Sequence, residues 1–141
     1  MIEFLKYICT MKKIIITLSF VLSVVLAFSQ SISVATSNQI SLGVKNEDTQ
    51  KFDFRPFKQM SEVYIILDTK KIVVNSSIQQ FYNIDSDAIE LEDGNKGNYW
   101  YALDNNGTRC RLYLYMNAFS EIYLGVEYND YAWIYLLETK N

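Results

Sequence analysis

The sequence predicts an all-β domain, an antiparallel up-and-down meander of about eight strands curled into a small barrel or a strongly bent sheet, with a β-sandwich as the alternative. Three observations lead there. From Glu62 onward, short runs rich in Val, Ile, Tyr, Phe, Trp and Leu follow one another, the residue types that fit a pleated, half-buried surface. Turn signals such as Asn106-Gly107 and Asn129-Asp130 separate these runs, and almost no stretch carries the period of an amphipathic helix. Links this short make neighbouring strands antiparallel, because a parallel pair needs a crossover of about a dozen residues or more.

The expected strands are Glu62–Asp68, Lys71–Ser76, Gln79–Ile84, Ala88–Glu92, Asn98–Asp104, Thr108–Met116, Ser120–Tyr128 and Tyr131–Glu138. With Asn106-Gly107 as a two-residue loop, Tyr99, Tyr101 and Leu103 share a face with Cys110, Leu112, Leu114 and Met116. With Asn129-Asp130 as another, Ile122, Leu124, Val126 and Tyr128 join Tyr131, Trp133, Tyr135 and Leu137. A three-residue link at Asn117-Ala118-Phe119 puts both sets on one side. The other side then carries Trp100, Tyr113, Tyr115, Tyr123, Ile134 and Leu136, together with Arg111, Glu121, Glu127, Glu138 and an Asp104–Arg109 pair. A slip of one residue would turn the apolar set into water, which favours this register.

The N-terminal part is less regular. Ser31–Thr36 and Gln39–Val44 read as strands, and residues 45–61 as a loop or plug in which Phe52, Phe54, Phe57 and Met60 surround Pro56. These apolar residues are expected either to plug one end of a barrel or to cap the edge of the core. Ahead of them, Lys12 and Lys13, the apolar run Ile14 to Phe28 and the small residues of Ala27-Phe28-Ser29 stand in the order of a cleavable export signal. The apolar run is shorter than the roughly twenty residues of a stable anchor. Residues 1–29 are therefore expected to be a signal peptide and 30–141 a single domain, exported to the periplasm or secreted, with no stable membrane anchor after cleavage. Either Met1 or Met11 begins the chain, and the acidic, partly apolar segment before Met11 points to Met11. The stretch Met11-Lys12-Lys13 through Ser29-Gln30 resembles leaders of exported Gram-negative bacterial proteins in which Gln often begins the mature chain.

Charge and composition narrow the chemistry. After the leader, ten basic residues face fifteen acidic ones, a formal charge of −5. Nucleic acid and anionic membranes, which are bound chiefly by neutralising phosphate, are poor partners for such a chain. The chain has no histidine, which removes the commonest general base, the Ser-His-Asp arrangement and histidine-bearing zinc motifs. Cys110 stands alone after the leader, and alternation points Arg109 and Arg111 to the face opposite its sulfur, so it reads as a buried structural thiol. The acids Asp85, Asp87, Glu90, Glu92 and Asp93 do not follow a calcium loop: Ile89 occupies a ligand position and Gly94 is out of register. No catalytic residue, metal or cofactor is expected.

The strand arrangement is similar to the up-and-down barrels of the lipocalin-like kind, a resemblance of architecture without a signature motif. Two functional expectations follow. The first is a non-catalytic protein-interaction module whose tyrosine- and tryptophan-bearing face docks another protein. The alternative is a lipocalin-like binder of a small apolar ligand, held by Leu112, Leu114, Leu124, Tyr101, Trp133 and Tyr135. Across both readings the candidate ligand or partner surface is Trp100, Tyr113, Tyr115, Tyr123, Trp133 and Tyr135, and whether the interior is filled decides between them.

Overall fold

Alternating apolar residues can be buried on one face of a strand only if the sheet finds something to close against, and here it closes on itself. The computed structural model describes residues 32–92 and 94–139; the expected leader and its cleavage site lie outside the described residues. Among the described residues ten strands form: β1 (Ser33–Lys45), β2 (Phe52–Phe54), β3 (Lys58–Leu67), β4 (Lys71–Asn75), β5 (Gln80–Ile84), β6 (Ile89–Glu90), β7 (Lys96–Leu103), β8 (Arg109–Met116), β9 (Ile122–Glu127) and β10 (Tyr131–Thr139). Eight of them, β1, β3, β4, β5, β7, β8, β9 and β10, pair antiparallel in chain order, and β10 returns to β1. The result is a closed up-and-down barrel of the small lipocalin-like kind rather than a sandwich. The short β2 and β6 are additions, on β1 and β7 respectively.

The core is the barrel interior. Ile65, Val74, Tyr82, Ala102, Cys110, Leu112, Leu124, Val126, Tyr135 and Leu137 are buried there, with Trp100 and Trp133 packed against them. Ile65, Val74, Ala102, Leu112 and Leu124 show 0% exposure, so no cavity large enough for water adjoins those side chains. Side-chain filling of this sort is what an eight-stranded barrel has room for.

The faces of β8, β9 and β10 follow the expectation. Leu112 pairs with Val126, Leu114 with Leu124 and Trp133 with Val126, all facing inward. Strand β7 departs from it by one residue: Trp100 pairs with Leu112, Ala102 with Cys110 and Leu103 with Arg109. Trp100 therefore faces the interior, while Tyr99, Tyr101 and Leu103 face outward, the reverse of the expected assignment, and Asp104 is not Arg109's partner. The cause is the turn. Asp104 accepts hydrogen bonds on Oδ1 from the N–H groups of Asn106 (2.9 Å) and Thr108 (2.8 Å), while Asn105 is drawn toward β5, donating through Nδ2 to Gln79 O at 3.1 Å. The loop is thus Asn105-Asn106-Gly107, with Gly107 at φ +76°, the left-handed position that closes a three-residue hairpin and that glycine adopts without steric cost. One loop residue more than a two-residue turn inverts the faces of the strand before it.

The same device closes the next hairpin, where Asn117 Oδ1 accepts from Phe119 and Glu121 N–H (3.0 Å each) and Ser120 takes φ +62°. This link runs one residue beyond the expected Asn117-Ala118-Phe119 and leaves the faces as expected. Between β9 and β10 the loop is the expected Asn129-Asp130, Tyr128 N–H donating to Tyr131 O at 2.9 Å.

At the N-terminal side, β1 is one strand rather than two. A bulge between Ser37 and Gln39 bends it, so that it pairs with β3 and with β10 along its length, and bulges of this kind let a long strand follow barrel curvature. Residues 45–61 hold β2 and the first residues of β3. Met60 packs on the core, whereas Phe54 and Phe57 lie against the outer wall and do not plug the barrel. The expected strand Ala88–Glu92 shrinks to β6.

Candidate functional site

Strands β7 to β10 place their outward side chains in cross-strand rows, since residues paired across an antiparallel ladder share a face. One row runs Tyr99, Tyr113, Gly125, Ile134, Ser41 and the next Tyr115, Tyr123, Leu136. Gly125 at the middle of the first row leaves a trough in the wall, flanked by Tyr113, Tyr115 and Ile134 and closed at its sides by Phe54 and Leu91, with a volume of ≈ 300 Å³. A Cβ built on Gly125 would meet Tyr113 Cβ at 3.5 Å, an ordinary contact. The trough is therefore made by the missing side chain and not by backbone strain.

Aromatic packing fixes the walls. Tyr115 and Tyr123 stack at 5.3 Å, Tyr99 and Tyr113 at 5.4 Å, and Phe57 reaches over from the β2–β3 link to Tyr123 at 5.7 Å. Phe54 stands over Gly43, where an added Cβ would fall 2.7 Å from its ring; glycine at that point lets the ring lie down on the barrel. Ser41 Oγ donates to Arg55 O at 2.6 Å and pins the same segment. These rings hold one another, which limits the ordering cost of any contact they make.

Beyond the trough the wall turns polar. Arg111 is paired with Glu127, and its guanidinium lies 6.0 Å and 5.8 Å from the Tyr99 and Tyr113 ring centres. Burial, and then the neighbouring Glu127 carboxylate, push the Tyr113 hydroxyl above its ordinary pKa. A second depression of ≈ 350 Å³ adjoins the trough at Glu127 and is lined by Lys45, Tyr101, Arg109 and Arg111 among others.

Of the expected surface residues, Tyr113, Tyr115 and Tyr123 come together on this outer wall. Trp100, Trp133 and Tyr135 face the interior and are separated from it by the sheet. Tyr101, expected inside, lies outside beside Arg109. Phe54, Leu91 and Gly125 complete the trough, and sequence reasoning assigned none of them to it. A signal for Gly125 was present, a glycine interrupting an otherwise bulky strand, but Phe54 and Leu91 are brought in by links whose paths are not periodic. A further outward row, Val34, Ile66, Val73 and Phe81, crosses β1, β3, β4 and β5 and was also unforeseen.

Inside, Cys110 is 3% exposed, and burial pushes its thiol up to about 12, with the Asp104 and Asp85 charges acting the same way. Burial alone would raise the Asp104 carboxyl, but hydrogen bonds from Tyr128 Oη (2.7 Å) and from the Thr108 and Asn106 N–H groups hold it below the ordinary carboxylate range. Trp133 Nε1 is buried without a hydrogen-bond partner among the described residues. No group of three Cys, Asp or Glu side chains gathers to hold a metal ion among the described residues. Cys110 should react with an aromatic disulfide reagent on the order of a hundredfold more slowly in the folded protein than in denaturant. Stopped-flow absorbance gives both rates, and equal rates would contradict burial of the thiol.

No protein family matches the chain, and no curated protein and no solved structure matches it either.

Proposed function

We propose that the chain is an exported, non-catalytic protein-interaction module that docks its partner on the outer wall of β8, β9 and β10. The observation that carries this reading is the trough over Gly125, walled by Tyr113 and Tyr115, which are held by stacking on Tyr99 and Tyr123. Tyrosines rich in contact area and low in conformational entropy are typical of interface centres. The close filling around Leu112 and Leu124 adds weight to the wall over the interior. Export rests on the order of basic, apolar and small residues in 1–29.

Gly125→Leu tests it. The new side chain fills the trough without touching the core, so the thermal midpoint should stay within a few degrees of the wild type. Chemical cross-linking in the extracytoplasmic fraction of the native host should yield a defined adduct with the wild type that Gly125→Leu loses. The same adduct in equal yield from both proteins would remove the trough from the reading.

A small apolar ligand at one barrel mouth is a second reading, favoured by one observation. Leu42, Val44 and Tyr131 point inward yet remain about half exposed, next to the stacked Tyr128 and Trp133 with its unpartnered indole N–H. A stoichiometric small molecule in native mass spectra of the exported protein would favour it over docking.

A further inference from the structure

We infer that the outer wall takes an extended acidic peptide segment, with an aromatic or aliphatic side chain in the trough over Gly125 and a carboxylate about four residues along it at Arg109 and Lys45. This rests on the docking reading above and adds to it the chemistry of the partner.

The two depressions adjoin at Glu127, which lines both. The first is aromatic and aliphatic. The second collects Lys45, Arg109 and Arg111, so that two of the three arginines of a chain with net negative charge stand on one patch of wall. Their own partners leave charge to spare. Arg111 is engaged by Glu127. Arg109 is 73% exposed and has only Asp85 at 3.6 Å, a long surface pair of the sort that contributes little. Among the described residues no carboxylate lies within 4.0 Å of Lys45. The patch thus has an uncompensated positive end next to an apolar trough, complementary to an apolar residue followed by an acidic one. A polyanion such as nucleic acid fits less well, because Glu127 sits at the junction of the two depressions and acidic residues dominate the chain as a whole.

Spacing follows from the strand. Tyr113 at the trough and Arg109 at the basic end are four residues apart on β8, roughly 13 Å at the rise of a β-strand. A peptide lying extended along the wall covers that distance in about four of its own residues.

The test is selection from a phage-displayed library of random dodecapeptides on the wild-type protein, on Lys45→Gln/Arg109→Gln and on Gly125→Leu. Thermal melts establish that all three are folded. The wild type should enrich peptides with Phe, Trp, Leu or Ile and an Asp or Glu about four positions away. The double variant should keep the apolar preference and lose the acidic one. A synthetic selected peptide with its acid changed to the amide should bind about five-fold more weakly to the wild type and unchanged to the double variant. An apolar pool without acids, or acids retained by the double variant, overturns the inference while leaving the trough as a docking site. A pool that Gly125→Leu selects equally well, or no enrichment on the wild type, overturns both.

Discussion

Leu112→Ala and Leu124→Ala should each destabilise the fold by about 2–5 kcal/mol, read as a shift in the urea midpoint at constant slope. Both side chains are fully enclosed and face each other's neighbours across β8 and β9, so truncation leaves a void that the barrel wall cannot collapse to fill. Tyr113→Ser, Tyr115→Ser and Tyr123→Ser should cost less, about 0.5–1.5 kcal/mol each, the value of a half-exposed aromatic pair. Tyr115 stacks on Tyr123 and Tyr113 on Tyr99 across the outer wall, and they enclose no core. Tyrosine variants that unfold as readily as the leucine ones would mean that the outer wall is itself enclosed in the native protein and not open to a partner.

The second large effect is alkaline unfolding. Burial first, and then the neighbouring Tyr135, Cys110 and Asp104, raise the Tyr82 hydroxyl far above its ordinary pKa; burial raises Tyr135 as well, and Cys110 is pushed up to about 12. In the unfolded chain a cysteine ionises near about 8.5 and a tyrosine near about 10. As pH rises past those values the unfolded chain gives up protons that the folded barrel keeps, so the unfolded state is favoured and stability falls. Each such group contributes a slope of about −1.4 kcal/mol per pH unit between its two pKa values. Stability should be flat in this respect below about pH 8, decline first through Cys110, and fall steeply above about pH 10 when Tyr82 and Tyr135 join. Cys110 and Tyr82 alone lose about 3 kcal/mol over one unit there, a large part of the total stability of a small domain. The part of the tyrosinate absorbance that Tyr82→Phe removes should therefore appear in the same cooperative step as the loss of far-ultraviolet circular dichroism. Its appearance near the ordinary pKa with the fold intact would show the Tyr82 hydroxyl to be solvated.

Much of the barrel could be read from side-chain alternation. In β8, β9 and β10 the alternation is strong and the Asn129-Asp130 link has its short expected length, so Leu112, Leu124 and Trp133 were placed on the correct side. At Asn106-Gly107 the dipeptide alone misled. Asn106-Gly107 suits two kinds of hairpin, and the choice between them is made by Asp104, whose carboxylate gathers two backbone N–H groups, and by Asn105, which is recruited toward β5. That choice moved Trp100 inward and Tyr101 outward together. Tyr113, Tyr115 and Tyr123 were legible as an outward aromatic group, because they lie on the strands whose faces were fixed. Their completion into a trough was not, since Phe54 and Leu91 arrive through an extra strand and a link that no periodicity announces. Closure of the barrel was also beyond local pattern, for it depends on a pairing between residues about a hundred positions apart.

That pairing governs how the chain can be made. Val44 meets Tyr131, and Ala35 meets Thr139, so the first strand to emerge during synthesis has to wait for the last nine-residue strand before its second edge is satisfied. Folding cannot proceed from one end while the other is still being produced, and topologies dominated by such distant contacts fold slowly. A chain that ends before Tyr131 would leave β1 and β9 with bare edges, the kind that recruit a strand from another molecule. Conversely, the ends of the cylinder wall already touch, which makes this barrel a natural candidate for joining its termini and opening it elsewhere, at the exposed Asn105-Asn106-Gly107 turn.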